Sequence, residues 1–226
     1  MRLSQLAATL LALLGNAAFA KPVVVQSRDT VHVAAKYCDA STSICYSEFI
    51  SPEKIAYRFA IPDNATAGNF DVLLQIVAPK AVGWAGLAWG GVMVNNPLLV
   101  AWPYQSSVIA SSRKASARTY PQVSNDVSYK VLAGSGANAT HWTLNALAKG
   151  ASAWGTTKLD PNSSAVPFAY AQSRSPPTNP ADVASRFSIH QTDGYVKMVI
   201  KRRATLEHSV AELVSCRSIP WFGRRQ

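Results

Sequence analysis

The chain has 226 residues, enough for one domain with a full core, and a formal charge of +10. Charged residues are only 15% of the total, and the basic ones cluster at Arg113–Arg118, Lys201–Arg203 and Arg224–Arg225. No nucleic-acid-binding motif accompanies them, which argues against nucleic acid as a partner; a solvated basic face is the simpler reading, with acidic partners or anionic polymer as the alternative.

Met1–Ala20 carries one Arg, an apolar core (Leu6–Leu14) and the small-x-small end Ala18-Phe19-Ala20. That is the pattern of a secretory signal, so the mature chain is expected to begin near Lys21 in an extracellular setting. Sequons at Asn64, Asn138 and Asn162 fit that address as glycosylation sites. An oxidising compartment favours cysteine pairing, and Cys38 and Cys45 flank a short polar loop that a disulfide can close. Cys216 is then left free, joined to another chain or exchanged for one of the first two.

From Ile55 onward, short apolar runs alternate with turn signals. Ile55, Tyr57 and Phe59 alternate with polar or small neighbours, and Phe70–Val77 follows as a β-branched run. Gly83–Pro103 (GWAGLAWGGVMVNNPLLVAWP) is nearly uncharged and interrupted by Gly83, Gly86, Gly90 and Gly91, too many breakers for a helix. Its unbroken part, Ala81–Val94, has 14 residues, short of the roughly 20 a membrane-spanning helix needs. The stretch reads as two strands joined by a turn at Asn95-Asn96-Pro97, with Met93 at the lip of a sheet beside a Gly-Gly pair that leaves room for something flat and large.

Further strands are expected at Ser128–Ala133, His141–Ala146, Val166–Gln172 and Tyr195–Ile200. The fold class is therefore all-β, an antiparallel immunoglobulin-like sandwich. Gly134–Ala139 (GSGANA) satisfies a dinucleotide fingerprint on paper, yet a sequon and a strand follow it instead of a helix, so it reads as a hairpin loop. Trp84, Trp89, Trp102 and Trp142 lie within apolar strands, where core packing is their natural fate. The Pro-rich stretch Ser173–Phe187 leads directly to His190, and long loops on a rigid sandwich are where functional side chains sit. Lys201–Ser215 carries a helical apolar stripe (Leu206, Val210, Leu213, Val214) ahead of a basic tail.

The strings Trp89–Pro103 (WGGVMVNNPLLVAWP), Ser111–Arg113 (SSR), Asn138–Trp142 (NATHW) and Phe187–Gly194 (FSIHQTDG) resemble, in order, the haem-binding cytochrome domain of fungal cellobiose dehydrogenases, a DOMON-type iron-reductase family. The resemblance covers roughly Lys36–Ile200 and implies a domain over 21–203, a haem pocket at one end of the sandwich, and residues 204–226 as a tail. It implies non-covalent haem b with Met93 and His190 as axial ligands, and cofactor contacts from Trp89, Gly90, Gly91, Arg113 and Tyr120. No Cys-x-x-Cys-His is present for covalent attachment. A Met/His pair fills both axial positions, so the expected activity is single-electron relay, not substrate turnover. The family's terms further imply a monomer without a membrane span. Its donor would be a separate flavin dehydrogenase or a small reductant, and its acceptor ferric iron or a copper polysaccharide monooxygenase. The alternative is a haem-free DOMON-type module that binds carbohydrate or cell-wall polymer. His141 is the rival imidazole, while Met198, in the final strand, reads as packing.

Overall fold

The computed structural model describes residues 31–40 and 42–203. The expected signal segment, Cys216 and the expected tail 204–226 lie outside the described residues. The described part contains seventeen strands and no helix. The first five are β1 (Val31–His32), β2 (Ala35–Cys38), β3 (Cys45–Ile50), β4 (Ala56–Pro62) and β5 (Val72–Pro79). Next come β6 (Trp84–Trp89), β7 (Pro97–Tyr104), β8 (Ser107–Lys114), β9 (Gln122–Val123), β10 (Ser128–Val131) and β11 (Gly136–Ala137). The series ends with β12 (His141–Lys149), β13 (Ala153–Trp154), β14 (Thr157–Lys158), β15 (Val166–Ser173), β16 (Thr192–Met198) and β17 (Arg202–Arg203).

Two sheets build the sandwich. The first runs β1-β16-β15-β6-β7-β8-β9; the second runs β10-β12-β5-β4-β3-β2, with β11 beside β12 and β17 beside β4. Every pairing is antiparallel except β1 with β16 and β17 with β4. Alternation along each strand decides which residues enter the space between the sheets. In β6, Ala85, Leu87 and Trp89 point inward; in β15, Val166, Phe168 and Tyr170 do; opposite them stand Tyr57, Phe59, Leu74, Ile76 and Leu144. Phe59 stacks on Phe168 with centroids 4.4 Å apart, and Trp89 meets both rings edge-on. Trp89 donates its Nε1 hydrogen to the Tyr129 hydroxyl at 2.8 Å. Burial raises the pKa of Tyr129, with the Trp89 bond opposing.

The sequence expectation for the sandwich holds, and the strands predicted from β4 onward lie within two or three residues of those observed. Nine strands were not anticipated: β1, β2, β3, β8, β9, β11, β13, β14 and β17. β2 and β3 form a hairpin whose last pair, Cys38 opposite Cys45, is the disulfide. β8 is masked by its composition, SVIASSRK, which looks like a polar loop. β1 adds a short parallel edge to β16. The expected helix over Lys201–Ser215 is corrected at its start, because Arg202 and Arg203 pair with Ile61 and Pro62 as strand; the rest of that segment lies outside the described residues. The GSGANA stretch is a hairpin loop that includes β11, fastened by the Ser135 hydroxyl, which donates to the Asn145 carbonyl and accepts the Asn145 N–H. Asn64, Asn138 and Asn162 are all exposed between strands. Among the described residues, no helix is long and apolar enough to cross a membrane.

Candidate functional site

The outer face of the first sheet has a composition unlike its inner one. Pairing registers set Asp193, Ala171, Gly86, Val100 and Ser111 in one row across β16-β15-β6-β7-β8, and Tyr195, Ala169, Ala88, Leu98 and Arg113 in the next. Gly86, Ala88, Ala169 and Ala171 form the middle of these rows. Ala88, Ala169 and Ala171 leave a floor of small residues, because Leu87, Trp89, Phe168 and Tyr170 are committed to the interior, while the Trp84 ring already lies over Gly86.

Met93 reaches this floor from the turn between β6 and β7. It is half-buried against Ala88, Leu98, Ala115 and Ala169. The turn is held at several points. Asn95 adopts φ 62°, and its N–H donates to the Ala115 carbonyl at 2.7 Å. Asn96 donates from Nδ2 to the Val92 carbonyl at 2.9 Å and accepts the Trp154 Nε1 hydrogen at 2.8 Å. Gly90 and Gly91 both have positive φ, 78° and 82°. The space a side chain would occupy is already filled: at Gly91 by the Tyr195 ring, at Gly90 by Asn96 and Trp154. The glycine pair therefore serves turn geometry and close packing, which corrects the expectation that its missing side chains leave room for a large flat group.

His190 reaches the same face from the other side. The loop between β15 and β16 lies back across the sheet, over Trp84, Trp102, Ser111 and Arg113. Trp102 donates from Nε1 to the Pro180 carbonyl at 2.9 Å, and Ser111 donates to the Val183 carbonyl at 2.7 Å. Phe187 packs edge-on against Trp84 and tilted against Tyr120. The backbone N–H of Gln191 then bonds the Gln172 carbonyl at 2.8 Å, fixing the chain one residue after His190. The His190 ring is 39% exposed and its Nδ1 stands 3.2 Å from Asp193 Oδ1. Since Asp193 is in the row of Ala171 and Met93 rests on the row of Ala169, the two predicted ligands occupy adjacent rows of one face, rows that are about 7 Å apart along a strand.

The other sequence-predicted contacts fall in different places. Trp89 is fully buried between the sheets, on the face opposite Met93, and Leu99 lies there with it. Arg113, expected in an exposed basic segment, is 1% exposed. Its guanidinium donates to Ser111 Oγ (2.7 Å), to the Val183 and Ser185 carbonyls (2.9 and 2.8 Å) and, at 3.5 Å, to the Pro121 carbonyl. Burial lowers its pKa, and neighbouring Tyr120 pulls it back. The Tyr120 hydroxyl donates to the Ser185 carbonyl and accepts the Phe187 N–H. Arg113 and Tyr120 thus fasten the loop that ends in His190. His141 lies on the second sheet, exposed and bonded to Thr140, and Met198 is packed in the interior. The disulfide and its hairpin belong to the far edge of the second sheet.

Sequence reasoning missed the floor and Asp193. The signal for the floor is visible in β15, VPFAYAQS, where Val166, Phe168 and Tyr170 alternate with Pro167, Ala169 and Ala171. One face of such a strand is built for packing and the other is kept low.

Residues 37–208 match the family defined by the cytochrome domain of cellobiose dehydrogenase, and the chain belongs to that family. A pyrroloquinoline quinone-dependent pyranose dehydrogenase of Coprinopsis cinerea is 29% identical over 162 residues, covering 69% of this chain but only 22% of that protein. Among solved structures, the cytochrome b domain of the Coprinopsis cinerea pyranose dehydrogenase matches with a TM-score of 0.73 at 22% identity. The cytochrome domain of Myriococcum thermophilum cellobiose dehydrogenase matches with the same score at 20% identity. Each structural match covers 80% of this chain and 96% of the other. At such identities the likeness speaks for the fold. The chain is thus a cytochrome domain of the dehydrogenase-associated kind, in a family that binds haem b.

Proposed function

We propose that this chain is a secreted, glycosylated b-type cytochrome that relays single electrons through a haem held by Met93 and His190. The observation that supports this most is the convergence of a thioether and an imidazole on one sheet face, above a floor of small residues. That donor set suits haem iron: a soft sulfur and a neutral nitrogen, with no cluster of three or more His, Cys, Asp or Glu among the described residues to favour another metal. Haem b held there by Met93 and His190 would supply a one-electron couple.

The protein's own residues do the rest. Ala88, Ala169 and Ala171 keep the face low enough for a planar group, and Leu98 and Val100 keep it apolar, which excludes water from the group's face. Asn96 and Ala115 hold the turn that presents Met93; Arg113 and Tyr120 hold the loop that presents His190. The family association points to a sugar-oxidising dehydrogenase, flavin- or quinone-dependent, as donor, with a small reductant as the simpler substitute. Ferric iron or a copper polysaccharide monooxygenase is the acceptor.

The test is optical. Purified protein incubated with haemin is expected to give a sharp low-spin spectrum that ascorbate reduces, and Met93→Ala or His190→Ala should each convert it to high-spin. A low-spin spectrum unchanged in both variants rejects the ligand pair. Failure to take up haem, together with retention on polysaccharide, identifies a carbohydrate-binding module instead.

A further inference from the structure

We propose that Asp193 is a positioning residue for His190, orienting its ring and setting the electron density on the nitrogen that faces the cofactor. This rests on the reading of His190 as an axial ligand and adds a role for a residue three positions further along.

As a stability element the pair has little to offer. Asp193 is 64% exposed and His190 39%, and ion pairs this open contribute about 0–1 kcal/mol. What distinguishes it is placement. Asp193 sits on the outer face of β16, because Val196 and Met198 of the same strand are inward and alternation sends Asp193 and Tyr195 outward. Its backbone is fixed by pairing with Ala171, itself paired with Gly86, so the carboxylate is anchored to the rigid centre of the sheet. His190 sits on a loop, whose backbone alone does not set the ring's rotation. The 3.2 Å contact to Oδ1 is made by Nδ1, which leaves Nε2 as the ring nitrogen available to a cofactor. No hydrogen bond joins Nε2 to a described residue. A metal-bound imidazole commonly donates its other N–H to a carboxylate, which fixes the tautomer and raises its basicity.

The strand that carries Asp193 also carries Tyr195, whose ring fills the space at Gly91, two residues before Met93. One face of β16 therefore steadies both ligand-bearing segments, one by an ion-pair contact and the other by packing.

The experiment uses haem-loaded protein and three variants. Asp193→Ala removes contact and charge, Asp193→Asn keeps an oxygen at that position without the charge, and Asp193→Glu keeps the charge on a longer arm. Haem transfer to excess apomyoglobin is expected to be about tenfold faster in Asp193→Ala, close to the parent in Asp193→Asn, and largely restored in Asp193→Glu. The midpoint potential should rise in both Ala and Asn variants, since a carboxylate on the ligand favours the ferric state. Asp193 is exposed, so thermal midpoints of the haem-free variants should match the parent, separating positioning from folding. Parent-like transfer rate and potential in Asp193→Ala, with the low-spin spectrum intact, overturn this proposal and leave the Met93/His190 reading standing. A six-coordinate low-spin spectrum surviving in His190→Ala overturns that reading and this proposal with it.

Discussion

The two faces of β15 sit one residue apart and have opposite chemistry. Inward, Val166, Phe168 and Tyr170 fill the sandwich; outward, Ala169 and Ala171 leave the surface low between Met93 and His190. The same division holds for β6, with Leu87 and Trp89 inside and Gly86 and Ala88 outside. Burial stabilises the fold through the first set, at roughly 1.5–3 kcal/mol for each large side chain. The second set gives up that contribution, and small side chains over a continuous patch make sense where another group is to cover it. The comparison assigns stability to one face and the site to the other, and substitutions on each face should separate the two properties.

The largest effect is expected inside. Phe168 is 1% exposed and stacked on Phe59, so Phe168→Ala should cost about 3–5 kcal/mol, read as a lower urea midpoint. The surviving folded fraction should still give the low-spin haem spectrum, because Phe168 points away from Met93. Loss of that spectrum at full folding would break the division between faces.

Arg113 sharpens the comparison because it belongs to neither set. It is a buried cation on the outer face, hydrogen-bonded to hydroxyl and carbonyl oxygens and lying over the Phe187 ring. Arg113→Ala strands the Val183 and Ser185 carbonyls, at about 2–3 kcal/mol. Proteolysis should then begin within residues 174–191, and the fraction of low-spin haem should fall even where the core is folded. Arg113→Lys cannot reproduce the fork and should recover little.

Arg113 also shows where the sequence stops being informative. A cation in the string SSRKASAR looks like part of a solvated basic patch, and nothing local says that a loop some seventy residues later will fold over it. The strand β8 was hidden for the same reason. By contrast, the apolar alternation of β4, β5, β12 and β15 depends only on neighbours, and those strands were legible. Met93 and His190 could be singled out from family resemblance, but their placement on one face comes from the registers of β6, β15 and β16, which are long-range. Trp89, an aromatic beside the ligand turn, lies between the sheets because the alternation of β6 sends it inward, a placement its neighbours in the sequence do not reveal. The disulfide, closing a hairpin seven residues apart, was readable because it is local.

Gly91→Ala probes the seam between the two faces. Its φ of 82° is unfavourable for alanine, and the Tyr195 ring occupies the place of the new methyl. The cost should be about 1–2 kcal/mol in stability. Because Met93 is two residues on, the variant should also show a mixture of low- and high-spin haem. Adding Tyr195→Leu should restore part of both properties by vacating the space.

The smallest effect on stability, and the most decisive for the comparison, is expected at Ala169. It is half-buried on the outer face and packs, like Met93, against the Ala88, Leu98 and Ala115 cluster. Ala169→Leu adds apolar bulk at a half-exposed position, so the unfolding free energy from a urea titration should move by less than about 1 kcal/mol. In the haem-loaded protein the same methyl groups stand where the planar group would rest. A strain of about 1.4 kcal/mol there corresponds to a tenfold loss of haem affinity. The signature is a substitution neutral for the fold and costly for the cofactor, the reverse of Phe168→Ala. Should Ala169→Leu bind haem as the parent does, the low outer face is not the haem floor, and Met93 and His190 must grip the group somewhere beyond it.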